Sequence, residues 1–242
     1  MAEEKLAPMK AQVYKDPRPK EHFDKYHARV RRGSPNFVYE VVRACTSLYS
    51  WVFFRLRSED THKVPVSGPV ILAPNHFSFM DHFFTGAGIR RRVQFMAKSQ
   101  LFSGVMQYIY NPGGVFPVRR GVQDEEAFIS AHAILGRGHP IVMYCEGGRS
   151  RTGDLSEKPK RGIGRLALES GAPVVPVAIH GSSKVRNWKR GQFPKVYVQY
   201  GDPMIWEPVE NPSRDQQQAV ANDIFNAIRE LYGALDERLK SG

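Results

Sequence analysis

From Val64 onward, short apolar runs alternate with stretches of helical periodicity. GPVILAPN, VQFMAK, GGVFPVRR, HPIVMYCEGG, APVVPVAIHG and KVYVQYG read as strands, each bounded by glycine, proline or charge. Between them DHFFTGAG, SQLFSGVMQYIY, DEEAFISAHAILGRG and RGIGRLALESG read as helices, and SRDQQQAVANDIFNAIRELYGALDERL closes the chain with a long amphipathic one. Strands that alternate with helices, and that are apolar on both faces, predict an α/β domain over residues 61–242. Its sheet should be mixed but largely parallel and flanked by helices.

The pattern before Val64 is different. Residues 1–36 are charged and broken by Pro8, Pro17, Pro19 and Pro35, which predicts a mostly flexible basic arm, with KEHFDKYHARVRR its one ordered-looking run. FVYEVVRACTSLYSWVFFRLR then places Glu40, Arg43, Ser47 and Ser50 on one stripe and apolar residues around the rest. A helix over 37–60 with a wide apolar face is expected to associate with a membrane surface or to pack on the domain.

Composition narrows the partners. Of 242 residues, 35 are Lys or Arg and 24 are Asp or Glu, giving a net charge of +11 that favours nucleic acid, an anionic leaflet or a phosphorylated substrate. The two cysteines, Cys45 and Cys145, have neither disulfide nor zinc-site spacing, so a reducing compartment is expected and no metal. MAEEKLAPMKAQVYKD lacks the apolar run of a signal peptide, and no uncharged apolar stretch is long enough for a membrane-spanning helix.

The polar residues of interest follow strands. Asn75 and His76 come after VILAP, Arg119 and Arg120 after VFPV, and Glu146 to Arg149 after IVMYC, at the carboxyl ends where open α/β sheets collect ligands. His76 with Asp81 can activate a hydroxyl, the imidazole taking a proton while the carboxylate holds its tautomer. No G-x-S-x-G supplies a protein nucleophile, and Cys145 falls in a buried strand. The attacking hydroxyl then belongs to the substrate, and the electrophile to a pre-activated donor such as a thioester. The arginines read as a clamp for an anionic acceptor, with Glu146 aligning one of them or a substrate hydroxyl.

NHFSFMD resembles the N-H-x-x-x-x-D block of the glycerolipid acyltransferases, the family of glycerol-3-phosphate and 1-acylglycerol-3-phosphate acyltransferases. GGVFPVRR is similar to the second block of that family, YCEGGRS to the third and VVPVAIHG to the fourth, in family order over about residues 64–205. The resemblance implies that His76 is the general base and Asp81 its orienter. It implies that Gly114, Arg119, Glu146, Gly147 and Arg149 bind the acceptor's glycerol phosphate, that Lys98 assists, and that Pro176 shapes the acyl or acceptor channel. It further implies acyl transfer from acyl-CoA or acyl carrier protein, without cofactor, to a lysophospholipid, foremost 1-acylglycerol-3-phosphate. The cytoplasmic face of an anionic membrane would be the place of work. Tyr144, Cys145 and Gly148 stand where the third block usually has Phe, Pro and Thr, which loosens the acceptor assignment.

Plainer readings compete with each feature. A His and an Asp near a helix start also serve as cap and core, and arginines after a strand also serve as solvated charges; of the pair after VFPV, only Arg119 matches the motif position. GIGRLA, 162–167, matches a dinucleotide fingerprint, but SEKPKR before it is no strand, so close helix packing explains its glycines better. A basic adaptor for membrane or nucleic acid explains the charge but not the polar groups at three strand ends.

Overall fold

Strand β2 (Val70–Pro74) is buried along its whole length, as a central parallel strand must be. In the computed structural model, which describes residues 6–9, 15–122 and 124–241, it lies at the middle of a seven-stranded sheet. With β1 (Arg57–Glu59), β3 (Gln94–Lys98), β4 (Val115–Val118), β5 (Pro140–Val142), β6 (Val174–His180) and β7 (Tyr197–Tyr200), the order is β1-β7-β6-β2-β5-β3-β4. Only β6 and β7 pair antiparallel, so β2, β3, β4 and β5 end at one edge. The mixed, largely parallel sheet is as the apolar runs predict; β1, whose Arg-Ser-Glu carries no strand signal, joins the sheet by parallel pairing with β7, and its Glu59 pairs with Arg238 of α7 (Arg214–Ser241).

Side chains alternate along β2 between two cores. Ile71 and Ala73 join helices α5 (Glu125–Gly136), α6 (Gly162–Ser170) and α7 (Arg214–Ser241), while Val70 and Leu72 meet Phe54, Met80 and Phe84 on the other face. That second face is covered by α2 (Phe37–Phe53) and α3 (Asp81–Ala87). The helix expected over SQLFSGVMQYIY is instead a pair of 3₁₀ turns and the single turn α4 (Gln107–Tyr110), because Gly104 takes a left-handed φ of 58° that a continuous helix does not allow.

Within the arm expected over 1–36, of which residues 1–5 and 10–14 lie outside the described residues, the ordered-looking run KEHFDKYHARVRR is helical and packs on the domain. Lys20–Phe23 forms a 3₁₀ turn and α1 (Asp24–Arg32) follows, burying Phe23, Tyr26 and Val30. The Arg137 guanidinium donates to the Val30 carbonyl at 2.6 Å and to that of Arg31, satisfying the orphan acceptors at the end of α1.

Asn36 caps α2, accepting the Val38 N–H at 3.0 Å. The faces of α2 are reversed relative to an ordinary surface helix. Ser47 and Ser50 turn inward, Tyr39 accepts the Val93 N–H at 2.9 Å, and Arg43 donates to the Ile89 carbonyl. Phe37, Val41, Leu48, Trp51 and Val52 face out and are exposed. Among the described residues no helix is long and apolar enough to cross a membrane.

The glycines of GIGRLA begin α6, which crosses α7 closely. A Cβ on Gly164 would lie on the Gln217 carbonyl oxygen, with the Ala221 nitrogen at 2.9 Å, whereas one on Gly162 would meet the flexible end of Met143 at 3.1 Å. Packing, not phosphate binding, is what these glycines do here. Gly164→Ala should therefore lower the unfolding free energy by about 1–3 kcal/mol through overpacking, and Gly162→Ala by much less, as read from denaturant midpoints.

Candidate active site

Asn75 ends β2 by bridging to β6, its Nδ2 donating to the Ile179 carbonyl at 3.0 Å and its Oδ1 accepting the Ile179 N–H at 2.7 Å. The chain then turns around Asp81. One carboxylate oxygen, Oδ2, takes the His76 Nδ1–H at 2.8 Å and the backbone N–H groups of Phe77 and Ser78, both at 2.7 Å. The five-residue spacing of His and Asp is the length of this turn. It fixes the tautomer with hydrogen on Nδ1 and leaves the His76 Nε2 lone pair for a substrate proton.

The loop after β5 closes on the same turn. Ser150 N–H donates to the His76 carbonyl at 2.8 Å, and the Glu146 carboxylate accepts the His76 N–H at 3.3 Å and the Ser156 hydroxyl at 3.2 Å. Arg186 secures this loop from beneath, donating to the carbonyls of Ser150 and Arg151 at 2.5 and 2.7 Å. Tyr144 stacks on the His76 imidazole, with centroids 3.9 Å apart and planes at 21°, and its hydroxyl lies 3.1 Å from His82 Nδ1.

Burial dominates the electrostatics. It draws the His76 imidazole below its ordinary value against the opposing pull of Asp81, and Arg149 and Arg120 lower it further. A base so placed is uncharged at neutral pH. His82 falls to about 4, through burial first and then the neighbouring His76. Glu146 rises to about 7, again through burial, although the His76 N–H and Ser156 hydroxyl hold it down. Lys98 is lowered by burial and then by Arg149 and Arg120, which places the three cations near one another.

Except for Glu146, which lies along the neighbouring loop, these groups line a cavity of about 470 Å³ beneath α2. His76, His82, Tyr144, Lys98, Arg120 and Arg149 form its polar part; Val42, Phe79, Phe83, Phe95, Met96 and Ile109 are among its apolar walls. A second, more open cleft of about 720 Å³ runs along the loop from Glu146 to Lys160. Among the described residues no three His, Cys, Asp or Glu side chains gather as a metal site requires.

Several of the residues named from sequence meet here: His76, Asp81, Lys98, Glu146 and Arg149. Three do not. Arg119 is held by Asp124, whose carboxylate accepts its backbone N–H at 2.6 Å and lies 3.7 Å from its Nε, so that Arg120, one residue on, lines the cavity in its stead. Gly114, with φ of 84°, packs against Pro35 and Gln94, where a Cβ would meet Pro35 Cγ at 2.5 Å. Pro176 is a buried β6 residue paired with Ala73, and its ring packs on Gly201. Gly147 turns the loop with φ of 66° beside Lys160, in the second cleft. His82 and Tyr144 went unnamed as site residues, although each adjoins one, at Asp81 and two before Glu146.

A family profile described as Acyltransferase matches residues 55–180. A 1-acyl-sn-glycerol-3-phosphate acyltransferase of Bacillus subtilis is 25% identical over 187 residues, covering 74% of this chain and 88% of that protein. A chloroplastic protein of the same name from Arabidopsis thaliana is 24% identical over 155 residues, 62% of this chain and 42% of that one. The chain spans 42% to 52% of the length of the plant and human relatives it matches. The crystal structure of the 1-acyl-sn-glycerophosphate acyltransferase PlsC from Thermotoga maritima shares the fold, with a TM-score of 0.61 over 87% of this chain and 88% of that one at 20% identity.

The carboxyl of Glu146 gives a stability signature. Its folded pKa lies above the unfolded one, so the folded state holds the extra proton, and stability is lost as pH rises from the ordinary carboxyl range through about 7. Glu146→Gln, which mimics the protonated form, should melt higher than the parent above pH 7, with the gap closing as pH falls to about 5. Thermal melts across that range check it.

Proposed function

Because this chain belongs to the acyltransferase family, we propose that it transfers a fatty acyl group from acyl-CoA or acyl carrier protein to the free hydroxyl of 1-acylglycerol-3-phosphate, giving phosphatidate. The observation that carries this reading is an Asp81-oriented His76 at the junction of an apolar cavity and three cations. His76 Nε2 takes the acceptor's hydroxyl proton as the oxygen attacks the thioester carbon. The tetrahedral intermediate collapses to the ester, and the expelled thiolate takes the proton from the imidazolium. No resident cofactor is required, since the thioester brings its own activation.

Lys98, Arg120 and Arg149 are suited to the acceptor's phosphate, and the apolar walls to an acyl chain. The relatives from Bacillus and Arabidopsis bear names that match this acceptor. The reversed α2 supports work at a membrane surface, and we place that work on the cytoplasmic face, as the two cysteines without disulfide spacing suggest. Its exposed apolar residues sit over the cavity whose walls include Tyr39, Val42 and Thr46 of the same helix, so acyl chains have a short path from lipid to site. The surplus of positive charge adds attraction to anionic headgroups.

Thiol release from oleoyl-CoA, with 1-acylglycerol-3-phosphate, glycerol 3-phosphate and neutral lysolipids as acceptors, tests the chemistry. His76→Ala should reduce kcat by about 10³-fold or more. Arg120→Ala and Arg149→Ala should raise KM for the phosphorylated acceptor by about tenfold or more, with Arg119→Ala near the parent. Turnover confined to an acceptor without phosphate would overturn the clamp while leaving the base.

Flotation with anionic vesicles at moderate salt tests the location. The parent should float with them, and Leu48→Glu with Trp51→Glu should remain in solution at unchanged melting temperature. A parent that stays free of the vesicles would overturn the membrane reading.

A further inference from the structure

Acyl transfer needs a donor for the oxygen of the tetrahedral intermediate as well as a base. The His76 turn offers none, because the backbone N–H groups of Phe77 and Ser78 are already spent on Asp81. One group beside the base is placed for the task. His82, first after Asp81 in α3, lines the cavity, and its ring centroid is 5.9 Å from that of His76. Its ring is framed by the aromatic edges of Phe83, Phe95 and Tyr144.

The contact with Tyr144 decides its tautomer. A phenol that burial keeps protonated is the better donor of the pair, so the Tyr144 O–H donates to His82 Nδ1 over 3.1 Å. The ring hydrogen of His82 is then on Nε2. Among the described hydrogen bonds Nε2 has no partner, and it is not among the buried polar atoms left unsatisfied, so it opens to the cavity.

We propose that His82 presents Nε2–H to the acyl carbonyl oxygen as an uncharged hydrogen-bond donor, locked in that tautomer by the Tyr144 hydroxyl. His82 is the catalytic residue of the pair and Tyr144 a positioning residue. As the acceptor oxygen bonds to the thioester carbon, the C=O π pair moves to oxygen and is met by the Nε2–H. No proton leaves His82, and the pair returns when the carbon–sulfur bond breaks. A neutral donor suits this place, because Lys98, Arg120 and Arg149 share the cavity and a further cation would compete for the acceptor's phosphate. Tyr144, which departs from the phenylalanine of the family's third block, thus acts on both histidines, its ring stacking on the base and its hydroxyl setting the donor.

The inference rests on the acyl-transfer reading of His76, and the experiment separates the two. With oleoyl-CoA and 1-acylglycerol-3-phosphate, His82→Phe should lower kcat by about 10²–10³-fold, the loss of one oxyanion donor, with KM for oleoyl-CoA within about threefold of the parent. His82→Gln, whose amide nitrogen reaches toward the same point, should recover most of that loss, and Tyr144→Phe should cost about tenfold. Nitrogen-15 NMR of the parent at pH 7 should show His82 protonated on Nε2 and bare on Nδ1, and Tyr144→Phe should show both tautomers. If His82→Phe fails to fold, the glutamine variant and the tautomer of the parent decide. An active, His76-dependent enzyme with His82→Phe within threefold of the parent, or with the hydrogen on Nδ1, overturns this inference alone. A parent that transfers no acyl group to any hydroxyl acceptor overturns it together with the reading of His76.

Discussion

The carboxylate of Asp81 is the point on which the site turns. A single oxygen gathers the His76 ring N–H and two consecutive backbone N–H groups, and the same residue begins α3. Backbone and imidazole are therefore set by one acceptor. A shift of the turn moves the base, and loss of the carboxylate leaves three buried donors to be satisfied elsewhere. The coupling extends to the neighbouring loop through the His76 backbone, whose N–H goes to Glu146 and whose carbonyl takes the Ser150 N–H. The strand ends are close because β2, β3, β4 and β5 run parallel, and the two loops are locked because each satisfies the other's backbone.

Such an arrangement opposes ordinary burial. His76, His82, Glu146 and Lys98 are all pushed toward their neutral forms, with burial the first cause in each case. The result is a site rich in titratable groups, in which the Asp81 carboxylate holds the base and Lys98, Arg120 and Arg149 carry the positive potential. A neutral base beside permanent cations suits a reaction in which an uncharged hydroxyl must be deprotonated while an anion is held close by. The protonation shifts of His82 and Glu146 pull the pH dependence of stability in opposite directions. His82 is depressed and costs stability as pH falls, whereas Glu146 is elevated and costs stability as pH rises.

Much of this was legible in the chain. The apolar runs locate most of the strands, and their alternation with helices implies a parallel edge with His76, the Arg119–Arg120 pair and Glu146 to Arg149 on it. What resisted reading has physical causes. Whether Arg119 or Arg120 enters the cavity depends on where the chain leaves the extended form after β4, and that is set by Asp124 from five residues away. The stacking of Tyr144 on His76 joins residues 68 positions apart and leaves no trace in local periodicity. The α1 segment is another matter: Phe23, Tyr26 and Val30 recur at helical spacing, a docking stripe that the surrounding basic residues mask. Gly114 and Pro176 stand within blocks that resemble family motifs, yet their contacts belong to packing, so a motif position marks a constraint without saying which kind.

Helix α2 links fold to substrate. A helix that only stabilised the domain would bury its apolar side; this one spends polar side chains on the protein and shows Phe37, Val41, Leu48, Trp51 and Val52 to the outside. Its inward hydroxyls cost little, since those of Thr46 and Ser50 bond to carbonyls of their own helix at 2.7 and 2.6 Å. The same helix roofs the apolar cavity through Tyr39, Val42 and Thr46, so the exposed apolar face and part of the cavity wall belong to one helix. Under the proposed function, an acyl chain leaving a bilayer pressed against that face would not cross water, and its hydrophobic free energy would be retained until the thioester reached His76. On that proposal the reversed helix and the Asp81-held His76 are two parts of one arrangement, the first keeping water from the chain and the second placing the base at the cavity where the chain would arrive.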